Sequence, residues 1–317
     1  MISAPRLHPS TVLQGRYRLD HELGHGGMSM VWFAQDLKHS RRVVLKILRP
    51  QIALTVGSEQ FQREIEFTAR LDHPNILPLL DSGVASGAEM AGPSLLYYVM
   101  PYVEGESLRA RVEREKLLPL SDALEIAREV AEALSFAHGQ GVVHRDIKPE
   151  NILLEGGHAV VADFGIAKAI TAATSANDSS AGMAVGTPYY MSPEQAAGRR
   201  HVDGRSDIYA LGCVLYEMLA GQPPYSGATR ESVSRQHFAA PVPDIGVVRP
   251  EVPGTVAGAI ERAMAKLPAD RYQTATQFAA ALGPDAHPTR FIDEGDSRLR
   301  DRALHWATKM LGGDRRR

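Results

Sequence analysis

The stretch HRDIKPEN, residues 144–151, places an acid, a base and an amide within eight residues. It follows the apolar run GVV at 141–143. A segment so polar, entered from an apolar one, is typical of a loop held open for chemistry, although an ordinary surface turn would have a similar composition. The rest of the sequence must decide between these two interpretations.

The composition describes an ordinary globular chain. Its 317 residues are 44% hydrophobic and 23% charged, so the chain can bury a core and is expected to hold one or two domains. The formal net charge of -2 gives no general attraction to nucleic acid or to anionic membranes. We therefore expect no nucleic-acid partner, and any phosphate site must be local.

The single cysteine, Cys213, excludes a disulfide within the chain and lies in an apolar run, where a structural role is expected. This cysteine content favours a reducing, intracellular compartment. The N-terminal segment has no uninterrupted apolar region, and the chain contains no stretch of about 18 apolar residues. We predict a soluble, cytoplasmic chain, which could be the cytoplasmic part of a longer membrane-anchored protein.

Two regions of different character follow one another. Up to residue 100, alternating patterns predict antiparallel strands at 17–24, 29–37, 43–48, 75–83 and 94–100, with one helix at 58–71. Beyond it, apolar spacing predicts helices at 121–141, capped by Ser121, and at 206–220, 229–239, 255–267 and 274–282. We predict a bilobal α+β fold, with a small antiparallel sheet lobe at 17–100, a larger mostly helical lobe at 101–283, and a hinge near 101–105.

The two ends of the chain are predicted to lie outside this fold, as an N-terminal extension at 1–16 and a tail at 284–317. Residues 298–317 carry seven Lys or Arg against two Asp. Leu299, Ala303, Trp306 and Met310 recur at helical spacing, which predicts a basic amphipathic helix. Docking on the larger lobe and binding to a membrane surface or a partner stay open.

LGHGGMSMV, residues 23–31, is rich in glycine, but Ser29 stands where a third glycine is common, so the stretch alone is weak evidence for nucleotide binding. A strand follows it, which argues against a dinucleotide-binding crossover. Backbone amides of such a hairpin can approach phosphate but need a cation nearby. Lys46, on an otherwise apolar strand, is the candidate. Glu64 is its predicted ion-pair partner, and Glu66, on another side of the helix, is the second choice.

A second acid follows a short apolar strand in VVADFGIAK, residues 160–168. Asp163 lies 17 positions beyond Asp146 (163 minus 146). Oxygen ligands from Asp163 and Asn151 would suit magnesium, which keeps most of its coordination for water and phosphate. Asp146 then remains free to accept a hydroxyl proton.

Together, HRDIKPEN, DFG, the glycine-rich hairpin and the strand lysine resemble the eukaryotic-like (Hanks-type) serine/threonine protein kinases. GHGGMSMV, YYVMPYVEGESL, FGIAKAI and GTPYYMSPEQAAG are similar to the bacterial branch of that family. The resemblance covers residues 17–282. It implies a kinase fold and an enzyme of signal transduction that transfers the γ-phosphate of ATP to Ser or Thr of protein substrates with Mg²⁺ or Mn²⁺, and that autophosphorylates on its activation segment.

The resemblance also implies roles for individual residues. Asp146 would orient the attacking hydroxyl and accept its proton, while Lys148 would neutralise the transferring phosphoryl group. Asn151 and Asp163 would bind the metal. Lys46, paired with Glu64, would contact the nucleotide phosphates. The remaining nucleotide-binding positions, in the hairpin and the hinge, would be Leu23, Gly24, His25, Gly26, Gly27, Met28, Ser29, Met30, Val31, Met100, Pro101 and Val103.

Four further residues would brace or regulate the site. Glu194 would pair with Arg271, Asp207 would hold the backbone of the loop, and Arg145 would receive a phosphate on the activation segment, residues 163–194. The candidate phosphate acceptors in that segment are Thr171, Thr174, Ser175, Ser179, Ser180 and Thr187. Thr187 is expected mainly to shape the substrate site by contacting Asp146 and Lys148.

Three positions depart from the family pattern: Ser29 for a glycine, Val44 for the alanine of VAxK, and Ser192 for the alanine of APE. Because valine is larger than alanine, Val44 is expected to add side-chain bulk to the pocket wall that covers adenine. A catalytically inactive binding module is the chief rival, yet the strand lysine and both aspartates are present. A small-molecule phosphotransferase would lack the GTPYYMSPE segment. Pairing of two such domains through their small lobes, and membrane association through the tail or through a region beyond this chain, stay open.

Overall fold

Six strands of the first region form one antiparallel sheet in the computed structural model, which describes residues 7–26, 29–56, 58–85, 95–164, 188–199 and 201–283. The order across the sheet is β1-β2-β3-β4-β6-β5. The strands are β1 (Val12–Leu13), β2 (Tyr17–His25), β3 (Ser29–Asp36), β4 (Arg41–Leu48), β5 (Asp81–Ala85) and β6 (Leu95–Pro101). Because β1 pairs with β2 and buries Leu13, the sheet begins inside the segment predicted as an extension.

The alternation along β4 separates the two faces of this sheet. Val43, Leu45 and Ile47 pack in one apolar cluster, which also holds Tyr17 and Trp32. Lys46 lies between two of these positions and so belongs to the opposite face. On that face Leu48, Leu96, Tyr98 and Met100 pack against Phe61 and Ile65. Lys46 therefore stands beside the helices that cover the sheet.

Two helices cover this face, α1 (Pro50–Val56) and α2 (Ser58–Thr68). The helix predicted over 58–71 is α2, which ends three residues earlier, and α1 was not predicted. Phe61 and Ile65, four positions apart and therefore on one side of α2, are buried. Leu71 is also buried, but in the turn that follows the helix.

The strand predicted at 75–83 is wrong in its first half, because β5 begins only at Asp81. The segment before it bonds to the larger lobe instead. The amide of Leu77 donates to Val161 O at 2.9 Å, and Asn75 Nδ2 donates to Ala159 O at 2.8 Å. Pro78 has no amide hydrogen to give to a sheet. Residues 75–77 thus fasten the small lobe to the large one.

Eight helices form the described part of the larger lobe, and the predicted bilobal arrangement is confirmed. They are α3 (Leu108–Glu115), α4 (Leu120–Gly139), α5 (Pro193–Ala196), α6 (Arg205–Ala220), α7 (Arg230–Ala239), α8 (Ile245–Val248), α9 (Gly254–Ala263) and α10 (Ala275–Ala281). A second antiparallel sheet joins β7 (Glu106–Ser107), β8 (Ile152–Glu155) and β9 (His158–Val161). The α6 helix is the centre of the lobe, since its side chains from Ser206 to Leu219, Cys213 included, are buried.

The predicted cap of the long helix is wrong. Helix α4 begins at Leu120, its N-cap is Pro119, and no side chain caps it. The hydroxyl of Ser121 donates instead to the neighbouring Asp122 at 3.1 Å. The predicted apolar stripe is correct, because Ala123, Ala127, Val130, Leu134 and Ala137 are all buried. Small residues in this stripe let α4 pack closely on the core of the lobe.

The compact unit that contains every described helix and strand ends at Leu282. The basic helix predicted in the tail lies outside the described residues. Within the described part of the chain, no helix combines the length and the apolar character that crossing a membrane requires.

Candidate active site

The loop of residues 144–151 is anchored by one buried carboxylate from the first turn of α6. Asp207 is 1% exposed, and its two oxygens accept the backbone amides of His144, at 2.8 Å, and of Arg145, at 2.7 Å. The His138 ring nitrogen Nε2 lies 2.8 Å from the same carboxylate. Burial opposes ionisation, but these hydrogen bonds hold the pKa of Asp207 below its usual value. A charged acceptor therefore fixes the start of the loop, as the resemblance implied.

Arg145 adopts a left-handed backbone with φ of 70°, a conformation that is unfavourable for a residue with a side chain. The bonds on both sides of the residue maintain it. Asp207 holds its amide, and Gln195 Nε2 donates to its carbonyl oxygen at 2.8 Å. The role of Gln195 was not predicted, although the residue directly follows the predicted Glu194.

Asp146 is partly exposed and takes its contacts from its own loop. Lys148 Nζ lies 2.7 Å from Oδ2, and Asn151 Nδ2 lies 3.1 Å from the same oxygen. The amide of Asp146 donates to His144 Nδ1, so the other ring nitrogen of His144 carries the proton that it donates to Ala162 O at 2.9 Å. The imidazole thus joins the loop to the residue before Asp163.

Asp163 is held by two side chains of the small lobe. Lys46 Nζ lies 2.5 Å from Oδ2, and the Tyr98 hydroxyl donates to Oδ1 at 2.7 Å. Burial would raise the pKa of Asp163, but the charge and hydrogen bond of Lys46 hold it below its usual value. Asp163 also has a left-handed backbone, with φ of 68°.

The side chain of Glu64, the predicted partner of Lys46, lies outside the described residues. Glu66, the second choice, is exposed on α2. The described ion pair of Lys46 is with Asp163, so the structure brings together two residues that the sequence assigned to separate tasks, phosphate contact and metal binding.

A cleft of about 240 Å³ lies between the two lobes and combines apolar walls with a few charged groups. Seven predicted residues line it: Leu23, Val31, Lys46, Met100, Pro101, Val103 and Asp163. Val44, the noted departure, lines it as well. The other described hairpin residues lie outside the lining, namely Gly24, His25, Gly26, Ser29 and Met30, while Gly27 and Met28 are not described. The loop of residues 144–151 contributes only Glu150 to the lining.

Sequence reasoning missed Leu77, Leu153 and Ala162 in the cleft. Ala162 directly precedes Asp163, and Leu153 is two positions beyond Asn151, so their proximity to predicted residues was the available signal. Gly105 also lines the cleft. A Cβ there would lie 1.9 Å from Leu154 O, which excludes any other residue without a backbone shift.

A charged network that was not predicted joins the loop to residues 188–190. Arg109 on α3 binds Glu150 Oε1 at 2.9 Å and Glu217 Oε1 at 2.8 Å, and it also reaches the Tyr190 hydroxyl. The buried Tyr190 donates to Glu217 in turn, and burial raises its pKa so that it stays protonated. This network sets the segment that contains Tyr190 beside the loop of residues 144–151.

The ion pair predicted between Glu194 and Arg271 is present and bidentate. Arg271 Nη1 and Nη2 lie 2.7 and 2.8 Å from the two oxygens of Glu194. Arg271 is 0% exposed and also donates to the carbonyl oxygens of Ala265, Lys266 and Arg205. The pair is structural, since it ties the helix that contains Glu194 to the core of the larger lobe.

Oxygen donors suited to a hard divalent cation occur at the two predicted ligand positions. The amide nitrogen of Asn151 donates to Asp146 O and Oδ2, which leaves its side-chain oxygen as the atom able to bind a metal. Asp163 contributes a carboxylate at the cleft wall. These residues fit Mg²⁺ or Mn²⁺. The predicted phosphate acceptors at 171–187 lie outside the described residues.

Comparisons with known proteins agree with this arrangement. The family described as "Protein kinase domain" matches residues 17–277. Serine/threonine-protein kinase PknB of Mycobacterium leprae is 42% identical over 273 residues, which are 85% of this chain and 43% of that protein. The probable serine/threonine-protein kinase PknB of Corynebacterium glutamicum is 41% identical over 278 residues, 86% of this chain and 42% of that protein. The chain thus spans less than half the length of these curated relatives.

Solved structures show the same fold. A crystal structure of the Mycobacterium tuberculosis PknI kinase domain superposes with a TM-score of 0.69 at 31% sequence identity. The match covers 87% of this chain and 98% of that domain.

Proposed function

We propose that this chain, which belongs to the bacterial branch of the Hanks-type serine/threonine protein kinases, transfers the γ-phosphate of ATP to Ser or Thr hydroxyls of proteins. One observation carries the proposal, the constellation of Asp146, Lys148 and Asn151 on one anchored loop. A carboxylate with a cation and an amide on the same oxygen is suited to receive a hydroxyl and its proton beside a negatively charged group.

Asp146 would orient the attacking hydroxyl and accept its proton. Its backbone is held through His144, so the carboxylate is presented at a defined place without reorganisation during the reaction. Lys148, whose ammonium group donates to Oδ2 of Asp146 in this structure, would offset the charge of the transferring phosphoryl group.

The cleft supports the nucleotide part of the proposal. Leu23, Val31 and Val44 supply apolar surface for a base, and Lys46 would contact the phosphates. Pro101 has no amide hydrogen, so its carbonyl oxygen would be its adenine contact. Asn151 and Asp163 would hold Mg²⁺ or Mn²⁺, which when bound offsets phosphate charge.

Regulation and partners form the finer part of the proposal. Autophosphorylation would fall between Thr171 and Thr187, with Arg145 as the receiver of the phosphate. Two such domains would pair through their small lobes, and membrane association would involve the basic tail or a part of a longer protein. The greater length of the curated relatives supports only the longer protein in this statement.

The decisive experiment incubates the full chain with labelled ATP and Mg²⁺, alone and with generic protein substrates. Asp146→Asn and Lys46→Met are compared with Asp20→Asn and Lys38→Met, which alter exposed residues of the same types. We expect phosphoserine or phosphothreonine from the wild type and from both control variants. We expect none from the two site variants, with nucleotide binding retained by Asp146→Asn.

A different result would contradict the proposal. A wild-type chain that binds ATP but labels neither itself nor any protein would favour a binding module with a kinase fold. Equal labelling by the wild type and Asp146→Asn would remove Asp146 as the proton acceptor.

A further inference from the structure

Tyr98 makes a contact that the proposed function does not use. Its hydroxyl donates to Oδ1 of Asp163 at 2.7 Å, while Lys46 lies 2.5 Å from Oδ2. Each carboxylate oxygen of Asp163 thus receives one donor from the small lobe. Tyr98 itself is 1% exposed, so this hydroxyl has been taken out of water to make the contact.

The register of the sheet explains why the two donors converge. Tyr98 on β6 is the direct partner of Lys46 on β4, so their side chains leave the same face of the sheet side by side. Packing with Phe61, Leu96 and Met100 restricts the tyrosine ring. The hydroxyl is therefore delivered to Asp163 by two rigid elements, a strand pair and an apolar cluster.

The two donors differ in what they can impose on a carboxylate. An ammonium group is a compact charge on a flexible stem and sets little orientation, whereas a phenol donates one directed bond from a rigid ring. One donor on each oxygen fixes the plane of the Asp163 carboxylate. Since each oxygen has about two lone-pair sites, one site per oxygen stays available for a cation.

We propose that Tyr98 is a positioning residue that orients the carboxylate of Asp163 for its divalent cation, with Lys46 supplying the compensating charge. This inference rests on the proposed function, in which Asp163 is a metal ligand. A phenolic hydroxyl is an ordinary hydrogen-bond donor at physiological pH, so the contact with Asp163 needs no special condition. The alternative is that Tyr98 only fills space between β6 and α2, where phenylalanine would serve equally well.

Tyr98→Phe removes only the hydroxyl, and Tyr17→Phe is its matched control. Tyr17 is also 1% exposed in the small lobe, and its hydroxyl donates to Asp81 Oδ2 at 2.5 Å, but it packs in the cluster on the other face of the sheet. Both variants lose a partly buried hydrogen bond from a tyrosine to a carboxylate. Only Tyr98→Phe loses one at the site.

The test measures binding of a fluorescent ADP analogue to the full chain, first in EDTA and then across a Mg²⁺ titration, together with the melting temperature. For Tyr98→Phe we expect the half-saturating Mg²⁺ concentration to rise about tenfold, because a hydrogen bond to a charged group is lost. Affinity in EDTA should change by less than about twofold. Tyr17→Phe should lower the melting temperature similarly and leave the Mg²⁺ titration unchanged.

A Mg²⁺ titration of Tyr98→Phe that superposes on the wild-type curve would overturn the positioning role. An equal loss of affinity in EDTA and in Mg²⁺ would overturn it as well, since it would indicate packing alone. If the wild type transfers phosphate with a clear Mg²⁺ dependence, either result excludes only the positioning role of Tyr98. If the wild type shows neither phosphate transfer nor a Mg²⁺ dependence, the proposed function fails, and this inference fails with it.

Discussion

The two aspartates of the site, Asp146 and Asp163, are held in opposite ways. Asp146 takes its side-chain contacts from residues two and five positions away in its own loop. Asp163 takes them from Lys46 and Tyr98, which lie 117 and 65 positions away in the other lobe. The group proposed to accept a proton is thus fixed within one lobe, whereas the proposed metal ligand depends on where the small lobe stands.

Buried charged residues of the larger lobe support the loop that contains Asp146. Asp207 holds its backbone, and the pair of Glu194 and Arg271 braces the adjoining segment. The pKa values of Glu194 and Asp207 lie below their usual values, because the hydrogen bonds that the two carboxylates accept outweigh the effect of burial. If the two aspartates of the site are indeed held separately, substitutions of Asp207, Glu194 or Arg271 should leave nucleotide binding in the cleft unchanged.

The largest expected effect comes from Arg271→Ala. This change leaves Glu194 buried without its cation, which costs about 3–5 kcal/mol of folding free energy. The measurement is urea unfolding of the variant beside Arg205→Ala, which removes an exposed pair with Asp203 and should cost less than about 1 kcal/mol. Equal losses in the two variants would show that burial of the Glu194 pair does not matter.

Asp207→Asn tests the anchoring of the loop directly. The amide side chain has one acceptor oxygen, so one of the amides of His144 and Arg145 loses its partner in a buried site. We expect kcat to fall by about 10- to 100-fold, with nucleotide affinity little changed. Asp203→Asn, an exposed change just before the same helix, is the control. A loss of nucleotide affinity as large as the loss of kcat would contradict the separate support of the two aspartates, because the cleft would then depend on Asp207 as well.

The packing of His237 against α6 is expected to weaken in mild acid, at a higher pH than the contacts of Asp163 and Asp207 do. His237 is buried against Tyr209 of α6, and burial, aided by the charge of Lys266, lowers its pKa from 6.5 to about 4. Between these values the unfolded chain binds a proton that the folded chain does not. Stability therefore falls as pH falls, by about 1.4 kcal/mol per pH unit.

Asp163 and Asp207 behave differently, because their lowered pKa values mean that stability is lost only as pH falls below about 4. Urea unfolding at pH 6.5 and 5.5 separates the two cases. The wild type should lose about 1 kcal/mol more than His237→Gln over this step. Equal losses of stability in the wild type and in His237→Gln would show that groups other than His237 cause the acid sensitivity.

The smallest effect is expected for Gln195→Ala. It removes the bond to Arg145 O, while Asp207 still holds the amide of Arg145, so we expect a loss of about 1 kcal/mol and about a threefold lower kcat. Unfolding and steady-state assays with the full chain measure both quantities. A fall in kcat of more than about 30-fold would show that the bond to the carbonyl oxygen of Arg145, and not the bond from its amide, fixes the conformation of the loop.

Local patterns predicted much of this molecule. The family and the bilobal fold followed from ordered motifs and are confirmed by the match at residues 17–277 and by the superposition on a kinase domain. The stripe of α4 and the alternation of β4 were readable because periods of 3.6 and 2 follow from backbone geometry alone. The Ser121 cap and the strand at 75–80 were wrong, because Pro119 and contacts with β9 decided those positions.

The sequence by itself determined which residue types the site contains and their order, since Asp146, Lys148 and Asn151 are neighbours in the chain and their loop is local. Only the tertiary structure decided what Asp163 touches. The pairing of β4 with β6 sets Tyr98 beside Lys46, and the docking of the two lobes brings both to one carboxylate. Such contacts depend on strand register and lobe docking, which no short stretch of sequence encodes.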